Sequence, residues 1–380
     1  MKEAGERRGV AAGKIIDWLR SVSEKCDVDS LRRNVIQHLS TVRAAEPKEP
    51  PGLTVPAPSG QADYSVVAVD GSQIELDPHA PVYCCLLNYG VAILRYRFDP
   101  GQDSAAWLLS RTEFLYRPED LVIEVAGRPI SLTGQLLGIH RQLGELEHLA
   151  DFAAGDDRLA SPRLALQDGA MRLVVLEGAG VNQALRDQFM CRHLRALDRL
   201  SESQVPVASY VSRPRSDDVV RALRLWFQNS TTIGVEGESI DLSDEDFEGI
   251  YDREIYQRVL TEPGDRSAVF CSSWRMSRDH YREHRVHFMY LNTGDEIARV
   301  DLPEWVACDP AALAFVHLTI VDQIDKGLGY PVSLTEAHEQ AVVRSADRRL
   351  FWEVVERSAR DAGLSTVQSA KASSKSIRPV

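Results

Sequence analysis

The longest helical pattern in the chain is ISLTGQLLGIHRQLGELEHLADFAAG, which covers residues 130–155. Its apolar residues recur three or four positions apart, so one face of the helix would be buried. The neighbouring segments are of strand type, with YSVVAVD (64–70) and VYCCLLNYGVAIL (82–94) before the helix and RLALQDG (163–169) after it. Strands separated by long helices predict an α/β fold in which helices flank a sheet, and argue against a barrel of many short strands.

The rest of the chain continues this alternation. Strands are predicted over 121–126, 171–178 and 205–212, and antiparallel strands within AVFCSSW, RVHFMYLN and EIARVDLP. Helices are predicted over 181–200, 216–228, 309–326 and 334–357. The segment of residues 229–265 is acidic and contains glycine, and it is interpreted as a surface excursion.

Shifts in composition divide the chain into four parts. Residues 1–45 are predicted to be helical, and residues 46–61 form a Pro/Gly-rich linker. Residues 62–357 hold the main folded domain. Residues 358–380 comprise the end of a helix and a Ser/Lys-rich tail that we expect to be disordered.

Charge and cysteine content narrow the class of protein. The formal net charge of −12 disfavours a protein that coats nucleic acid through overall charge, but permits an enzyme that grips a strand locally. The six cysteines form no CxxC pair, which argues against a disulfide framework or a thiolate zinc site. No apolar run approaches the roughly 20 residues of a membrane span, and the charged N-terminus lacks the apolar core of a signal peptide. We expect a cytoplasmic protein without a membrane partner.

Two apolar strands each end in Asp-Gly. Asp70 follows VVAV, and Asp168 follows LALQ. If the strands are neighbours, the two carboxylates converge, and their repulsion favours a bound cation such as Mg²⁺ or Mn²⁺. Asp-Gly is also a common turn sequence, so two β-turns would explain the same pattern.

The long helix offers a third carboxylate in Glu145 or Glu147. The alternative is that both lie on a solvated face, where Arg141, one turn earlier, would pair with Glu145 at the surface. Spacing alone leaves both interpretations open.

A rival metal cluster contains Asp279, His280, His284 and His287. There is no HExxH motif, and arginines are interleaved with the histidines, so we expect no zinc site in that segment. The motifs GxxxxGK[ST] and GxSxG are absent, which leaves no support for the phosphate loop of an NTPase or for a nucleophile elbow.

Five motifs in order make the chain resemble the NurA nuclease family. They are VAVDGS, ExE in the long helix, the second strand ending in DG, YVSRPRSDD, and GYPVSLTEAHEQA near the C-terminus. The resemblance covers roughly residues 60–355. It implies a ribonuclease H-like mixed sheet core flanked by helices, with additional N-terminal helices and β/α insertions. The domain of residues 62–357 would then be NurA-like.

The resemblance also implies an activity and partners. NurA proteins are homodimeric, manganese-dependent nucleases that trim 5′ ends during end resection at DNA double-strand breaks. They act with HerA, a hexameric ATP-driven DNA translocase, which would supply the phosphate loop that this chain lacks. The implied activity is that of a metal-dependent deoxyribonuclease, a 5′-to-3′ exonuclease that also cuts single strands internally.

Carried over to this sequence, the first metal ligand is Asp70 and the second strand ligand is Asp168. Glu145 corresponds to the helix glutamate, with Glu147 as the alternate. Together they would hold two Mn²⁺ ions, or Mg²⁺ in their place. Asp-Gly-Ala, which ends at Ala170, stands where Asp-Gly-Ser is usual in the family. This departure replaces the serine and keeps the carboxylate.

Tyr330 and His338 match the late tyrosine and histidine of the family's active site. An imidazole can ligate a metal or transfer a proton near neutral pH. A tyrosine can position a phosphate or stack on a base. The resemblance therefore adds both residues to the predicted site.

The segment SRPRSDDVVRALR is the candidate DNA-binding element, because guanidinium groups suit bidentate contacts with phosphate. Its arginines are Arg213, Arg215, Arg221 and Arg224. The same residues also fit the start of a helix, with Ser216 as its cap and two aspartates in its first turn. These interpretations are compatible.

Two alternatives to a nuclease stay open at this point. One is a catalytically impaired scaffold that is bound to a translocase ring and processes DNA only through its partners. The other is a different metal-dependent phosphoesterase that uses similar paired carboxylates.

Overall fold

The structure is a computed structural model that describes residues 2–23, 26–38, 42–60, 63–75, 80, 82–97, 103–155, 159, 162–177, 181–233, 242–272 and 279–363. Its helices are α1 (Lys2–Ser23), α2 (Val28–His38), α3 (Gln135–Gly155), α4 (Gln183–Glu202), α5 (Asp218–Ile233), α6 (Asp252–Val259), α7 (Glu304–Ala307), α8 (Pro310–Lys326), α9 (Val332–Ala341) and α10 (Ser345–Asp361). Its strands are β1 (Glu46–Pro47), β2 (Thr54–Val55), β3 (Tyr64–Ile74), β4 (Cys85–Tyr96), β5 (Ala105–Leu115), β6 (Val122–Val125), β7 (Arg128–Ser131), β8 (Arg163–Asp168), β9 (Val207–Val211), β10 (Arg266–Ser267), β11 (Phe270–Cys271), β12 (Val286–Asn292) and β13 (Ile297–Pro303).

One large mixed sheet organises the chain, in the order β1-β11-β12-β13-β9-β8-β3-β4-β5. Strand β3 is parallel to β8, and β8 is parallel to β9, whereas β4, β5, β12 and β13 pair antiparallel to their neighbours. Helices cover both faces. The predicted α/β class, a mixed sheet flanked by helices, is confirmed.

Strand β3 is apolar throughout its first half because both of its faces are covered. Val67 and Val69 pack in the core formed with α3 and α4, while Val66 and Ala68 pack in the core formed with α8 and α9. A strand buried on both faces reads as a continuous apolar run. The buried run ends at Val69, and Asp70 follows it as the first residue of the strand that is not fully buried.

Helix α9 is fixed directly over β3 and β4. Gly90 lies opposite Asp70 in the ladder, and a side chain at Gly90 would meet the backbone of Ala337 and Ala341. The carbonyl of Ala341 accepts hydrogen bonds from Ser72 Oγ at 2.5 Å and from Nδ2 of the buried Asn88 at 2.9 Å. Close backbone approach and these two bonds set the position of α9 on the sheet.

We predict that Gly90→Ala lowers the free energy of unfolding by about 1–3 kcal/mol, because the new methyl group must displace α9. Its Cβ would lie 2.1 Å from the carbonyl oxygen of Ala337. Gly138→Ala is the control, since a Cβ there meets nothing within 4 Å and replacing a helix glycine stabilises by about 0.5–1 kcal/mol. Urea unfolding of both variants measures the difference. Equal stability of Gly90→Ala and the parent protein would contradict this packing.

The strand predicted over residues 171–178 is wrong. Residues Val174–Glu177 form a 3-10 turn, and Met171 and Leu173 are buried without strand pairing. Their backbone N–H groups donate instead to side chains, Met171 to Asp301 at 3.2 Å and Leu173 to the Tyr281 hydroxyl at 2.9 Å. A short apolar run is ambiguous when distant side chains can satisfy its backbone.

The single helix predicted over residues 334–357 is also wrong, because α9 ends at Ala341 and α10 begins at Ser345. The carbonyl of Ala341 is engaged by Ser72 and Asn88 from the sheet, which compete with continuation of the helix. Helix α10 ends at Asp361, and the tail from 364 onward lies outside the described residues.

The acidic segment of residues 229–265 is only partly a surface feature. Its residues 234–241 lie outside the described part, but Asp252 is fully buried at the start of α6. The Asp252 carboxylate accepts from the backbone N–H groups of Val219 and Val220 at 3.0 and 2.8 Å. A distant aspartate thus caps α5, where the sequence predicts Ser216 as the cap; Ser216 donates to Asp252.

The N-terminal region packs onto the sheet. Two helices form there, as predicted, and Ile15 and Leu19 of α1 are buried against residues of α5, α6 and β11–β13. Within the stretch predicted as a linker, β1 pairs with β11 and β2 with β10. A proline in β1 is tolerated because β1 is an edge strand. None of the helices in the described residues has the length and apolarity to cross a membrane.

Candidate active site

Asp70 and Asp168 lie side by side on neighbouring parallel strands. The ladder pairs Val69 with Gln167, so the two aspartates follow one position later on β3 and β8. Strand β3 continues through Asp70 to Ile74, so the β-turn explanation is wrong there. At Asp168 the chain does turn, and Gly169 adopts a φ of +81°.

Tyr330 and His338 reach these aspartates from the α8–α9 side of the sheet. The Tyr330 hydroxyl donates to Oδ1 of Asp168 at 3.0 Å, and Nδ1 of His338 lies 2.7 Å from Oδ2 of Asp70. The ring of Tyr330 packs edge-on against Tyr210 of β9, with centroids 5.2 Å apart. The late tyrosine and histidine of the sequence thus each contact one strand aspartate.

Glu145 approaches from the opposite face of the sheet, on α3. It is 6% exposed, and a Cβ at Gly71 would lie 2.4 Å from its Oε1, so only glycine leaves room for this carboxylate. Arg141 forms an ion pair with Glu145 and donates to the carbonyl of Gly71 at 2.7 Å. The two side chains do pair, but the alternative that placed Glu145 on a solvated face is wrong because its carboxylate is buried. The spacing of four residues in the sequence indicates that the two side chains can pair, but it does not indicate whether the pair is buried.

Burial and, to a lesser extent, mutual repulsion raise the pKa values of two of these carboxyl groups. Burial raises the pKa of Glu145 to about 8; Arg141 opposes this rise, and the nearby charges of Asp70 and Asp168 add to it. The pKa of Asp168 is also raised, chiefly because the surrounding protein displaces water, while the hydrogen bond from Tyr330 opposes the shift. Converging carboxylates with raised pKa values are the electrostatic situation that a divalent cation would relieve.

Glu147 is directed away from this cluster. Its carboxylate forms a bidentate pair with Arg192 of α4, at 2.8 and 2.6 Å. The structure therefore places Glu145, and not the alternate Glu147, beside the strand aspartates.

The donor set suits a hard divalent ion, since three carboxylates and an imidazole match the preferences of Mn²⁺ and Mg²⁺. Within the described residues, three ligand atoms come within 4.8 Å of one another at two other places and not among these four side chains. Holding one ion in common would therefore require these side chains to move closer together.

The arginine segment divides into two parts. Arg213 and Arg215 directly follow β9, at the same edge of the sheet as Asp168, and both are exposed. Arg213 pairs with Glu296 at 3.1 Å. Arg221 and Arg224 lie on α5 and pair with Asp217 and Asp244 respectively, so their charges are already engaged within the chain.

The rival histidine cluster does not assemble as one site. His284 contacts Asp198 and Trp305, while His287 lies on β12 in a separate group with Glu304 and Cys308. Neither group of ligand atoms includes Asp279 or His280.

Comparison with known proteins supplies the family. Residues 64–343 match the family model of the NurA domain, which is well over half of the chain. The chain belongs to the NurA family. The matched region contains both strand aspartates, Glu145, Tyr330 and His338.

Solved structures agree on the fold of this NurA family member. It is similar to the crystal structure of the NurA nuclease from Sulfolobus solfataricus, with 12% sequence identity and a TM-score of 0.51. The match covers 90% of this chain and 98% of that one. At this identity the likeness concerns the fold alone. A comparison with curated protein sequences gives no match.

Proposed function

We propose that this chain is a metal-dependent DNA nuclease that hydrolyses phosphodiester bonds. The observation that carries the proposal is the convergence of three carboxylates. Asp70 and Asp168 come from neighbouring strands, and Glu145 comes from helix α3. The chain that brings them together belongs to the NurA family. The crystal structure that the fold resembles is that of a nuclease. The resemblance of the sequence motifs points the same way.

Asp70, Glu145, Asp168 and His338 would hold the metal, which we infer to be Mn²⁺, with Mg²⁺ as the alternative. Two such ions, when bound, would activate water and stabilise the leaving oxygen. The protein's own contribution is orientation. Tyr330 orients Asp168, His338 orients Asp70, and Arg141 holds Glu145 against Gly71.

We infer that the nuclease acts on single-stranded and double-stranded DNA ends, as a 5′-to-3′ exonuclease in double-strand break resection. Membership of the NurA family supports a HerA-type hexameric ATPase as its partner, a homodimeric state and action in the cytoplasm. We also propose that the core is ribonuclease H-like and that its strands are β5, β4, β3, β8 and β9. Residues 62–357 would form this domain, with the helices of residues 1–45 packed on it.

The test uses purified full-length protein with end-labelled linear DNA. We expect degradation with Mn²⁺, weaker degradation with Mg²⁺ and none in excess EDTA. Equal activity in EDTA would overturn the metal mechanism. DNA binding and capture of a hexameric ATPase without cleavage would favour the impaired scaffold. Hydrolysis of small phosphodiesters without DNA cleavage would favour another phosphoesterase.

Arg215 is the arginine of the segment that we expect to contact DNA, since it is exposed and forms no ion pair with any described residue. Arg215→Gln should weaken DNA binding several-fold and reduce the slope of log affinity against log salt by about 1. Arg224→Gln is the matched control, because the ion pair of Arg224 with Asp244 leaves it little capacity for phosphate. Fluorescence anisotropy at several salt concentrations measures both. An unchanged salt slope in Arg215→Gln would exclude this contact.

A further inference from the structure

A second cluster of metal-ligating side chains lies apart from the strand-end carboxylates. A ring nitrogen of His287, a carboxylate oxygen of Glu304 and Sγ of Cys308 all lie within 4.8 Å of one another. His287 is on β12, Glu304 is the first residue of α7, and Cys308 caps the C-terminal end of α7. Glu304 and Cys308 are one helical turn apart, so α7 presents both towards the same strand.

The hydrogen bonding of His287 points independently to a ligand. Its ring is fully buried, and Nδ1 lies 3.0 Å from the carbonyl oxygen of Arg285. A carbonyl only accepts, so Nδ1 carries the proton and Nε2 has a bare lone pair. Nε2 is buried and has no hydrogen-bond partner among the described residues. A metal-ligating histidine commonly shows this arrangement, with one nitrogen donating to a carbonyl and the other free for the ion.

The surroundings of His287 favour an uncharged ring. Burial lowers the pKa of His287 to about 4, against the opposing effect of the Arg285 carbonyl. Lys48 and Arg285 are the cations near this ring, and Arg285 is paired with Glu46 at 3.4 Å.

The other close cluster, Asp198, Glu283 and His284, lacks this feature. Nδ1 of His284 accepts from the Trp305 indole at 3.2 Å, and Nε2 donates to Asp198 at 2.7 Å. Both ring nitrogens are occupied by the protein itself. His284 therefore has hydrogen-bond partners at both ring nitrogens, whereas Nε2 of His287 has none among the described residues.

The donor set identifies the metal. Nitrogen, oxygen and sulfur donors from three side chains are typical of zinc sites, and a thiolate favours Zn²⁺ over Mn²⁺ or Mg²⁺. Cys308 is exposed, so solvent can supply a fourth ligand. Cys271 pairs with His287 in the ladder, but its Sγ does not belong to this group of close ligand atoms.

Contrary to the expectation from histidine and cysteine spacing, we propose that His287, Glu304 and Cys308 bind a zinc ion that fastens α7 to β12. The carboxylate and the thiolate would neutralise the ion's two charges. Helix α7 connects β13 to α8, so the ion would anchor the start of the helical layer that also contains α9. This site uses none of the residues proposed for DNA cleavage.

Cobalt titration of the metal-stripped full-length protein tests the proposal, with Co²⁺ as the spectroscopic probe for Zn²⁺. We expect one equivalent of Co²⁺ to give a thiolate-to-metal charge-transfer band that Zn²⁺ abolishes. Cys308→Ser should remove the band and weaken Zn²⁺ binding, measured with a competing indicator, by at least about tenfold. Because Cys308 is exposed, we expect this variant to fold.

Two control variants make the result specific. Cys191→Ser alters the other exposed cysteine of the described residues and should keep the band. Asp70→Ala should also keep it, which separates this site from the proposed nuclease centre. Absence of the band in the parent protein, its survival in Cys308→Ser, or its loss in Cys191→Ser would each overturn the proposal.

Discussion

Asp70→Asn is expected to lower the rate of DNA degradation by at least about a thousandfold, because it removes a charged oxygen ligand from the proposed metal site. The fold should survive. Asparagine keeps an oxygen that can accept from the Gly71 N–H, as Oδ1 of Asp70 does at 2.8 Å. It also removes one of the charges that repel Glu145 and Asp168. We therefore expect the metal-free variant to be at least as stable as the parent protein.

Asp187→Asn is the matched control for this loss of activity. Asp187 is an exposed aspartate of α4 whose side chain accepts from Gln183 at 2.8 Å. Initial rates on labelled DNA with Mn²⁺, together with thermal unfolding of each variant, separate catalysis from stability. Asp70→Asn protein with normal activity would remove Asp70 from the mechanism, and an unfolded variant would contradict the charge-repulsion argument.

The main elements of the fold could be predicted because periodicity is local. Strand β3 and helix α3 are each specified by their own apolar spacing. Strand β5 was missed: its residues alternate between exposed and half-buried positions at the edge of the sheet, and its apolar run, AAWLL, covers only the first half of the strand. The break between α9 and α10 was missed because it depends on Ser72 and on Asn88, which are distant in sequence.

Among the residues named for the site, Tyr330 and His338 could be read from the sequence only through motif order. Asp70 and Asp168 were recognisable as strand-end carboxylates, but their adjacency depends on the parallel pairing of β3 with β8. Periodicity does not specify that pairing. The choice between Glu145 and Glu147 depends on which side of α3 faces Gly71 and which faces Arg192. The orientation of a helix against its neighbours is set by tertiary packing, so it is seen only in the folded structure.

Glu145→Gln is expected to have opposite effects on activity and on stability. It should lower the rate of DNA degradation by at least about a hundredfold, since an amide is a weak substitute for a carboxylate ligand. Burial raises the pKa of Glu145 from 4.5 to about 8, so the folded protein retains a proton that the unfolded chain releases in this range. As the pH rises from about 5 to 8, the unfolded state of the metal-free parent protein is therefore increasingly favoured. Because glutamine cannot ionise, Glu145→Gln does not show this decrease in stability with rising pH.

The stability of the metal-free variant should accordingly match that of the parent near pH 4 and exceed it by a few kcal/mol, on the order of 1.4 per pKa unit, above pH 8. Urea unfolding in EDTA at several pH values measures the difference. Glu147→Gln is the matched control, since it makes the same substitution on the same helix at a side chain that is 39% exposed and pairs with Arg192. A difference between Glu145→Gln and the parent that stays constant from pH 4 to 9 would mean that Glu145 titrates alike in the folded and unfolded states, and would contradict its raised pKa. If Mn²⁺ stabilises the parent at pH 8 but not Glu145→Gln, the same carboxylate that weakens the empty fold is the one that binds the ion.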